Sequence, residues 1–167
     1  MILAALAASP LACSAGNEPV AATTLCDAAD QAYFACKTAS GRLINLCGQY
    51  PQRLQYLYGR PGRLELAYPE AAAGGPEKLS YAHYVRPDTD YTEIGFARGE
   101  IAYAVFDYRE GSGRTAGVAV TLADGSERRF ECATPIESQL QIWSGVLRCD
   151  PDNALTGGQC PAPSKQD

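Results

Sequence analysis

The sequence predicts an all-β, mostly antiparallel fold: a disulfide-stapled β-meander barrel or sandwich with one short C-terminal helix. Three observations support this prediction. Gly and Pro punctuate the chain at short intervals, and the segments between them are rich in Tyr, Val, Ile, Leu and Phe. Asp124-Gly125 separates two apolar segments, which is a strong hairpin signal. Six cysteines remain once a leader is set aside, an even number that suits disulfides.

Nine short strands are predicted, most of them joined by local turns. Apolar residues alternate with others along residues 63–68, as in a strand with one buried face. Residues 145–149 are the candidate for a last edge strand. A sheet of this size avoids long exposed edges by closing into a barrel or folding into two layers. The predicted strands span residues 31–37, 42–48, 53–58, 63–68, 78–85, 91–96, 100–108, 116–122 and 126–132.

A different pattern predicts the single helix, over residues 135–143. Pro135 suits the first turn of a helix, where its missing N–H costs nothing. Ile136, Leu140 and Trp143 fall on one helical face. We therefore expect this helix to pack against the sheet.

Three regions are expected along the chain. Residues 1–22 are predicted to be a signal or lipoprotein leader with a tether, residues 23–150 the β-domain, and residues 151–167 a Pro/Gly-rich tail tied by Cys160. No internal repeat is evident, and the apolar content of 46% is enough for one domain with its own core.

The first residues predict export. Residues 1–8 form an apolar run that is too short to cross a bilayer as a helix, and small residues follow it. Two processing routes are open: lipidation at Cys13, or ordinary cleavage after Ala15 or Ala22. The expected localisation is therefore periplasmic or, with a lipid anchor, an outer-membrane lipoprotein. Membrane contact is expected only through that anchor.

Disulfides are expected among the six remaining cysteines, because export brings the chain into an oxidising compartment. No Cys-x-x-Cys pair is present, so a structural zinc site is not expected. Hairpin geometry and position in the chain predict three pairs. These are Cys36–Cys47 across a hairpin, Cys132–Cys149 at the two ends of one compact segment, and Cys26–Cys160 between the two ends of the mature chain.

Composition and motifs exclude several function classes. The net charge of −5 and the pI near 4.9 lack the basic footprint of a nucleic-acid binder. The chain shows neither a Gly-rich phosphate loop nor an EF-hand loop, so no cofactor or metal is expected. His83, the only histidine, is interpreted as a strand residue at or near the surface. Glu93 and Asp107 are the best candidates for a hydrolytic pair, but ion pairing with arginine explains them too, and no enzyme is expected.

Binding residues are expected among the tyrosines and arginines. The chain has ten Tyr and eleven Arg against three Lys, and interfaces favour Tyr and Arg as anchors. One group surrounds the turn after the third strand, and a second is a Gly/Ser loop with an arginine near its tip. A further tyrosine-rich group is Tyr81, Tyr84 and Tyr91. The predicted partner-binding residues are Ser112, Gly113, Arg114, Tyr56, Tyr58 and Arg60.

Several stretches resemble a family of small exported proteins of Gram-negative bacteria that carries no assigned activity. These stretches are residues 34–36, 41–47, 54–62, 91–94 and 103–108, and the likeness covers roughly residues 33–149. Ser112-Gly113-Arg114 is similar to the Ser-Gly loop that periplasmic lysozyme inhibitors insert into a lysozyme cleft. The chain also resembles immunity proteins against exported toxins in its size, its predicted export and its predicted disulfide-stapled β-architecture.

The resemblance and the surface residues predict an exported, non-catalytic protein-binding domain, such as an inhibitor or immunity protein against an envelope-targeting hydrolase. The expected partner is a secreted hydrolase or a toxin. One alternative is a periplasmic small-ligand-binding barrel, which would need an apolar internal cavity. The other is a carboxylate-dependent envelope hydrolase, which would need two carboxylates converging in a cleft.

Overall fold

The chain folds as one ten-stranded sheet in a computed structural model, which describes residues 24–71 and 75–160. The strand order is β10-β5-β6-β7-β8-β9-β1-β2-β3-β4, and the sheet is not closed. All neighbours are antiparallel except β10 and β5, which are parallel. The strands are β1 Gln31–Thr38, β2 Leu43–Gln49, β3 Arg53–Arg60, β4 Arg63–Tyr68, β5 Ser80–Arg86, β6 Thr89–Arg98, β7 Ile101–Glu110, β8 Gly113–Thr121, β9 Glu127–Ser138 and β10 Arg148–Cys149.

The predicted all-β, mostly antiparallel, disulfide-stapled architecture is confirmed. Two meanders, β1–β4 and β5–β9, follow from short turns between neighbouring strands. They join where β9 pairs with β1, in a register that places Ser138 opposite Phe34. The strands therefore form a single continuous sheet, and this pairing bridges about a hundred residues of sequence.

The core lies on one face of this sheet, here called the inner face. The sheet bends so that aromatic side chains of β3 and β4 meet those of β6 and β7. Tyr68 stacks on Phe96 with ring centroids 4.4 Å apart, and Tyr56 lies 5.1 Å from the same ring. Trp143 is fully buried, with the ring of Tyr33 packed edge-on at 5.0 Å.

The predicted helix over residues 135–143 is wrong. Strand β9, Glu127–Ser138, runs through the first part of that segment, and only a short 3₁₀ turn, Leu140–Trp143, follows. The backbone of β9 bonds first to β8 and then to β1, and these pairings override the local helix signals. Leu140 and Trp143 are nevertheless buried against the sheet.

All six predicted cysteines form disulfides, but the predicted pairing is wrong. The hairpin register sets Cys36 opposite Ile44, so Cys36 does not face Cys47. Long-range pairing of β9 with β1 brings Cys132 beside Cys36 instead. The observed bridges are Cys26–Cys47, Cys36–Cys132 and Cys149–Cys160.

The predicted leader and the end of the predicted tail are not covered by the described residues. The leader over residues 1–22, with the lipidation candidate Cys13, lies outside the described residues, as do residues 161–167. Cys160 bonds to Cys149, 11 residues away in sequence, rather than to Cys26 as predicted. Three disulfides indicate folding in an oxidising compartment. Within the described part of the chain, no helix has the length and apolar character to span a membrane.

Candidate functional site

A row of three tyrosines crosses the outer face of the sheet, which is the face opposite the core. Tyr84, Tyr91 and Tyr108 lie directly opposite one another on β5, β6 and β7. Their ring centroids are 6.2 Å and 4.7 Å apart, and all three side chains are half-buried. We call this row the tyrosine ladder. A partner approaching the outer face would meet three aromatic surfaces already held side by side.

Charged residues hold the ladder in place. The guanidinium of Arg86 lies 5.0 Å from the Tyr84 ring centroid, which is a cation–π contact. The Tyr91 hydroxyl donates to Glu110 at 2.9 Å, and this hydrogen bond raises the pKa of Tyr91. Tyr108 donates to Glu93, and burial together with that bond raises the pKa of Tyr108. Tyr91 and Tyr108 are therefore neutral phenols at physiological pH.

Beside the ladder the outer face carries a cleft of about 600 Å³. Its floor consists of small residues on β6, β7 and β8. Gly95 lies opposite Ala104, and Ala104 lies opposite Ala119. Ala97 and Ala102 form the next row of the floor. Gly and Ala are poor strand formers, so strand stability does not account for this concentration of them on one face.

The C-terminal segment builds one wall of the cleft. Its 3₁₀ turn, Ala154–Thr156, packs over β5 and leaves Ala82 of the outer face only 2% exposed. The Asn153 amide donates to Glu93 at 2.6 Å, and the Ser80 hydroxyl donates to Asp150 at 3.4 Å. The Cys149–Cys160 bridge closes this segment into a short loop against the sheet.

Cations lie on both sides of the floor. Arg129 of β9 pairs with Glu127 at 2.7 Å and lies 5.4 Å from the Phe106 ring centroid. Lys78 and Arg148 line the opposite side. Neither of these two reaches a carboxylate within ion-pair distance among residues 24–71 and 75–160.

Comparisons with protein-family models, curated proteins and solved structures found no match.

The first predicted binding group does not form one exposed patch. Tyr56 is 1% exposed in the core and is not available to a partner, contrary to the expectation from sequence. Tyr58 is half-buried with its ring 6.2 Å from Phe130. Arg60 is exposed and donates to the carbonyl of Ser40 at 2.7 Å. Tyr56 and Tyr58 lie on the core side of β3, whereas Arg60 is the last residue of β3, next to the turn.

The second predicted group is a tight turn that contains Ser112. Glu110 pairs with Gly113, so only two residues connect β7 to β8. Arg114 is already engaged: its guanidinium donates to the two oxygens of Asp107 at 2.8 and 2.9 Å. Its role in the fold is therefore to neutralise a buried carboxylate, and Ser112 and Gly113 are exposed without a protruding loop.

Asp107 is the most deeply buried carboxylate of this region, with a side chain that is 0% exposed. Burial alone would raise the pKa of Asp107. The hydrogen bonds and charge of Arg114 outweigh burial, with help from Arg109 at 3.4 Å, and the pKa is lowered. Asp107 is thus an ionised carboxylate held by arginine.

The two carboxylates considered for hydrolysis lie on opposite faces of the sheet. Asp107 is opposite Thr92 in the register, which places it on the inner face, whereas Glu93 faces outward into the cleft. They do not converge on one substrate position. His83 contacts Asp90 at 3.0 Å, and Asp90 also accepts from Thr92 at 3.4 Å. In the described ranges no group of three or more potential ligands is placed to hold a metal ion.

The sequence analysis grouped Tyr84 and Tyr91 with Tyr81, which is buried in the core, and named Glu93 only as a hydrolytic candidate. It missed Tyr108 and the alanine floor. Period-two alternation in each strand indicates which residues share a face of that strand. The relative register of β6 and β7 was needed to show that Tyr91 and Tyr108 are neighbours. The turn at Gly99 sets that register and is the signal from which Tyr108 could have been found.

Proposed function

We propose that this chain is an exported, non-catalytic binding domain that captures a protein partner through the tyrosine ladder. The observation that carries the proposal is the row of Tyr84, Tyr91 and Tyr108 on the solvent side of the sheet, flanked by Arg86. The partner class is an envelope-targeting hydrolase or a toxin. The chain then acts in the periplasm, either free or attached by a lipid at Cys13.

The ladder has the properties of an interface anchor. Tyrosine offers a large rigid contact area with few rotatable bonds, and Tyr and Arg are enriched at energetic hot spots. Mutual packing of the tilted rings and the hydrogen bonds to Glu93 and Glu110 restrict the rings before a partner arrives. This preorganisation lowers the conformational entropy that binding costs.

Two features favour protein binding over the alternatives. The interior is occupied by aromatic and aliphatic side chains, so a carrier function has no lumen to use in the described part of the chain. Glu93 and Asp107 point to opposite faces, which speaks against their use as a hydrolytic pair.

Replacing Tyr91 by alanine is expected to weaken partner binding by about 30-fold, which corresponds to a hot-spot loss of about 2 kcal/mol. Tyr91 is central in the ladder and half-buried, so its loss removes contact area on both neighbouring rings. The oxidised chain is tested against purified wall hydrolases and secreted toxins by inhibition and by isothermal titration calorimetry. Calorimetry then gives Kd for the wild type and for Tyr91→Ala.

A matched control is Tyr50→Ala, which removes an exposed tyrosine from the β2–β3 turn. This variant should retain wild-type affinity. The proposal is overturned if no protein of the panel is bound or inhibited by the wild type. It is also overturned if the partner binds Tyr91→Ala and the wild type equally well.

A further inference from the structure

We propose that the outer-face cleft is a second binding site, which takes a neutral polyhydroxylated ligand of the size of one or two sugar rings. This site is separate from the protein contact assigned to the ladder, although Tyr108 and Glu93 lie where the two adjoin. The proposal depends on the shape of the floor, the chemistry of the walls and the way in which the wall groups are fixed.

The floor leaves space where a strand would normally carry larger side chains. Across three neighbouring strands, Gly95, Ala104 and Ala119 are in register. Four residues earlier on β6 and four later on β7, the same face carries Tyr91 and Tyr108. On β6 and β7 the small residues of this face therefore give way to tyrosines four residues along each strand. The volume of about 600 Å³ lies within the range of small-molecule sites.

The walls carry carboxylates and cations in nearly equal number. A hydroxyl group both donates and accepts, so a polyol is satisfied by carboxylates and cations placed around it. Strong net charge would instead select an ionic ligand, and here four carboxylates face three cations. The carboxylates are Glu93, Glu127, Asp150 and Asp152, and the cations are Lys78, Arg129 and Arg148.

Several wall groups are fixed before a ligand arrives. Glu93 accepts from both Tyr108 and Asn153, and Arg129 is held by Glu127. The Cys149–Cys160 loop positions Asn153, which gives this short bridge a role in shaping the site. Fixed polar groups favour binding because less side-chain entropy is lost.

The test is an NMR titration of the full oxidised chain, labelled with ¹⁵N, using three soluble probes: N,N′-diacetylchitobiose, cellobiose and maltose. At least one disaccharide is expected to give saturable shifts at the amides of Gly95, Ala104 and Ala119. Ala104→Leu fills the floor and should weaken that binding by about tenfold or more. The matched change Ala133→Leu, on an exposed part of β9 outside the cleft, should leave it unchanged.

Co-sedimentation with insoluble wall glycan tests whether the cleft binds a polymeric sugar as well as a free disaccharide. If the cleft binds the polymer, the bound disaccharide competes for it and Ala104→Leu reduces sedimentation. The proposal is overturned if none of the probes gives saturable shifts, or if Ala104→Leu binds like the wild type. Tyr91→Ala should retain sugar binding, so failure of the protein-partner proposal is distinguishable from failure of this one.

Discussion

Replacing Arg114 by methionine is expected to lower the free energy of unfolding by about 3 kcal/mol at pH 7. The change removes two hydrogen bonds and the main positive charge from Asp107, whose side chain is fully buried. Arg109 remains near at 3.4 Å, but its side chain is 46% exposed and solvent screens it. An ionised carboxylate is then left in the core with inadequate compensation.

The pH dependence gives this prediction a second readout. In the wild type the pKa of Asp107 is lowered by Arg114 against the effect of burial, so its ion pair stabilises the fold above the unfolded pKa. That contribution is lost as the pH falls through the folded pKa. In Arg114→Met, burial raises the pKa of Asp107, and the penalty for its charge disappears as the group protonates. The stability difference between the two proteins should therefore shrink toward low pH.

Urea unfolding followed by tryptophan fluorescence measures both effects, because the only tryptophan, Trp143, is fully buried. The control is Arg129→Met, which breaks an exposed pair with Glu127 and should cost only about 0–1 kcal/mol. Equal costs for the two variants, or a loss in Arg114→Met that does not change with pH, would contradict the assigned role of Arg114.

Removing the Cys36–Cys132 bridge is expected to cost about 5 kcal/mol, the largest effect of any single bridge. The bridge spans 96 residues and joins β1 to β9, which form the strand pairing between the two meanders in the described ranges. A long closed loop restricts the unfolded chain more than a short one does. The double variant Cys36→Ala/Cys132→Ala is compared with the wild type by the same urea experiment under oxidising conditions.

The short bridge supplies the control. Cys149–Cys160 spans 11 residues, and its removal by Cys149→Ala/Cys160→Ala should cost about 3 kcal/mol by the same relation. Equal losses for the two pairs would show that loop length does not govern these bridges. A larger loss for the short bridge would mean that the C-terminal segment supports the sheet more than β9–β1 pairing does.

Local signals in the sequence determined most of the strands and indicated an oxidising compartment. Turn residues such as Asp124-Gly125 act within a few residues, so strand positions could be read without knowledge of the rest of the chain. An even set of six cysteines indicated disulfides whatever their partners were. The sequence placed a strand over residues 91–96, and the structure shows that Ile94 and Phe96 of that strand face the core whereas Tyr91 and Glu93 face the other side.

Only the tertiary structure decided which strands meet and which residues become neighbours. The pairing of β9 with β1 turned a segment with helix signals into a strand and set Cys132 beside Cys36. Register between neighbouring strands placed Tyr91 beside Tyr108 and formed the cleft next to them. These outcomes depend on backbone hydrogen bonds and side-chain packing between residues far apart in sequence. The propensity of a short segment does not specify such long-range contacts.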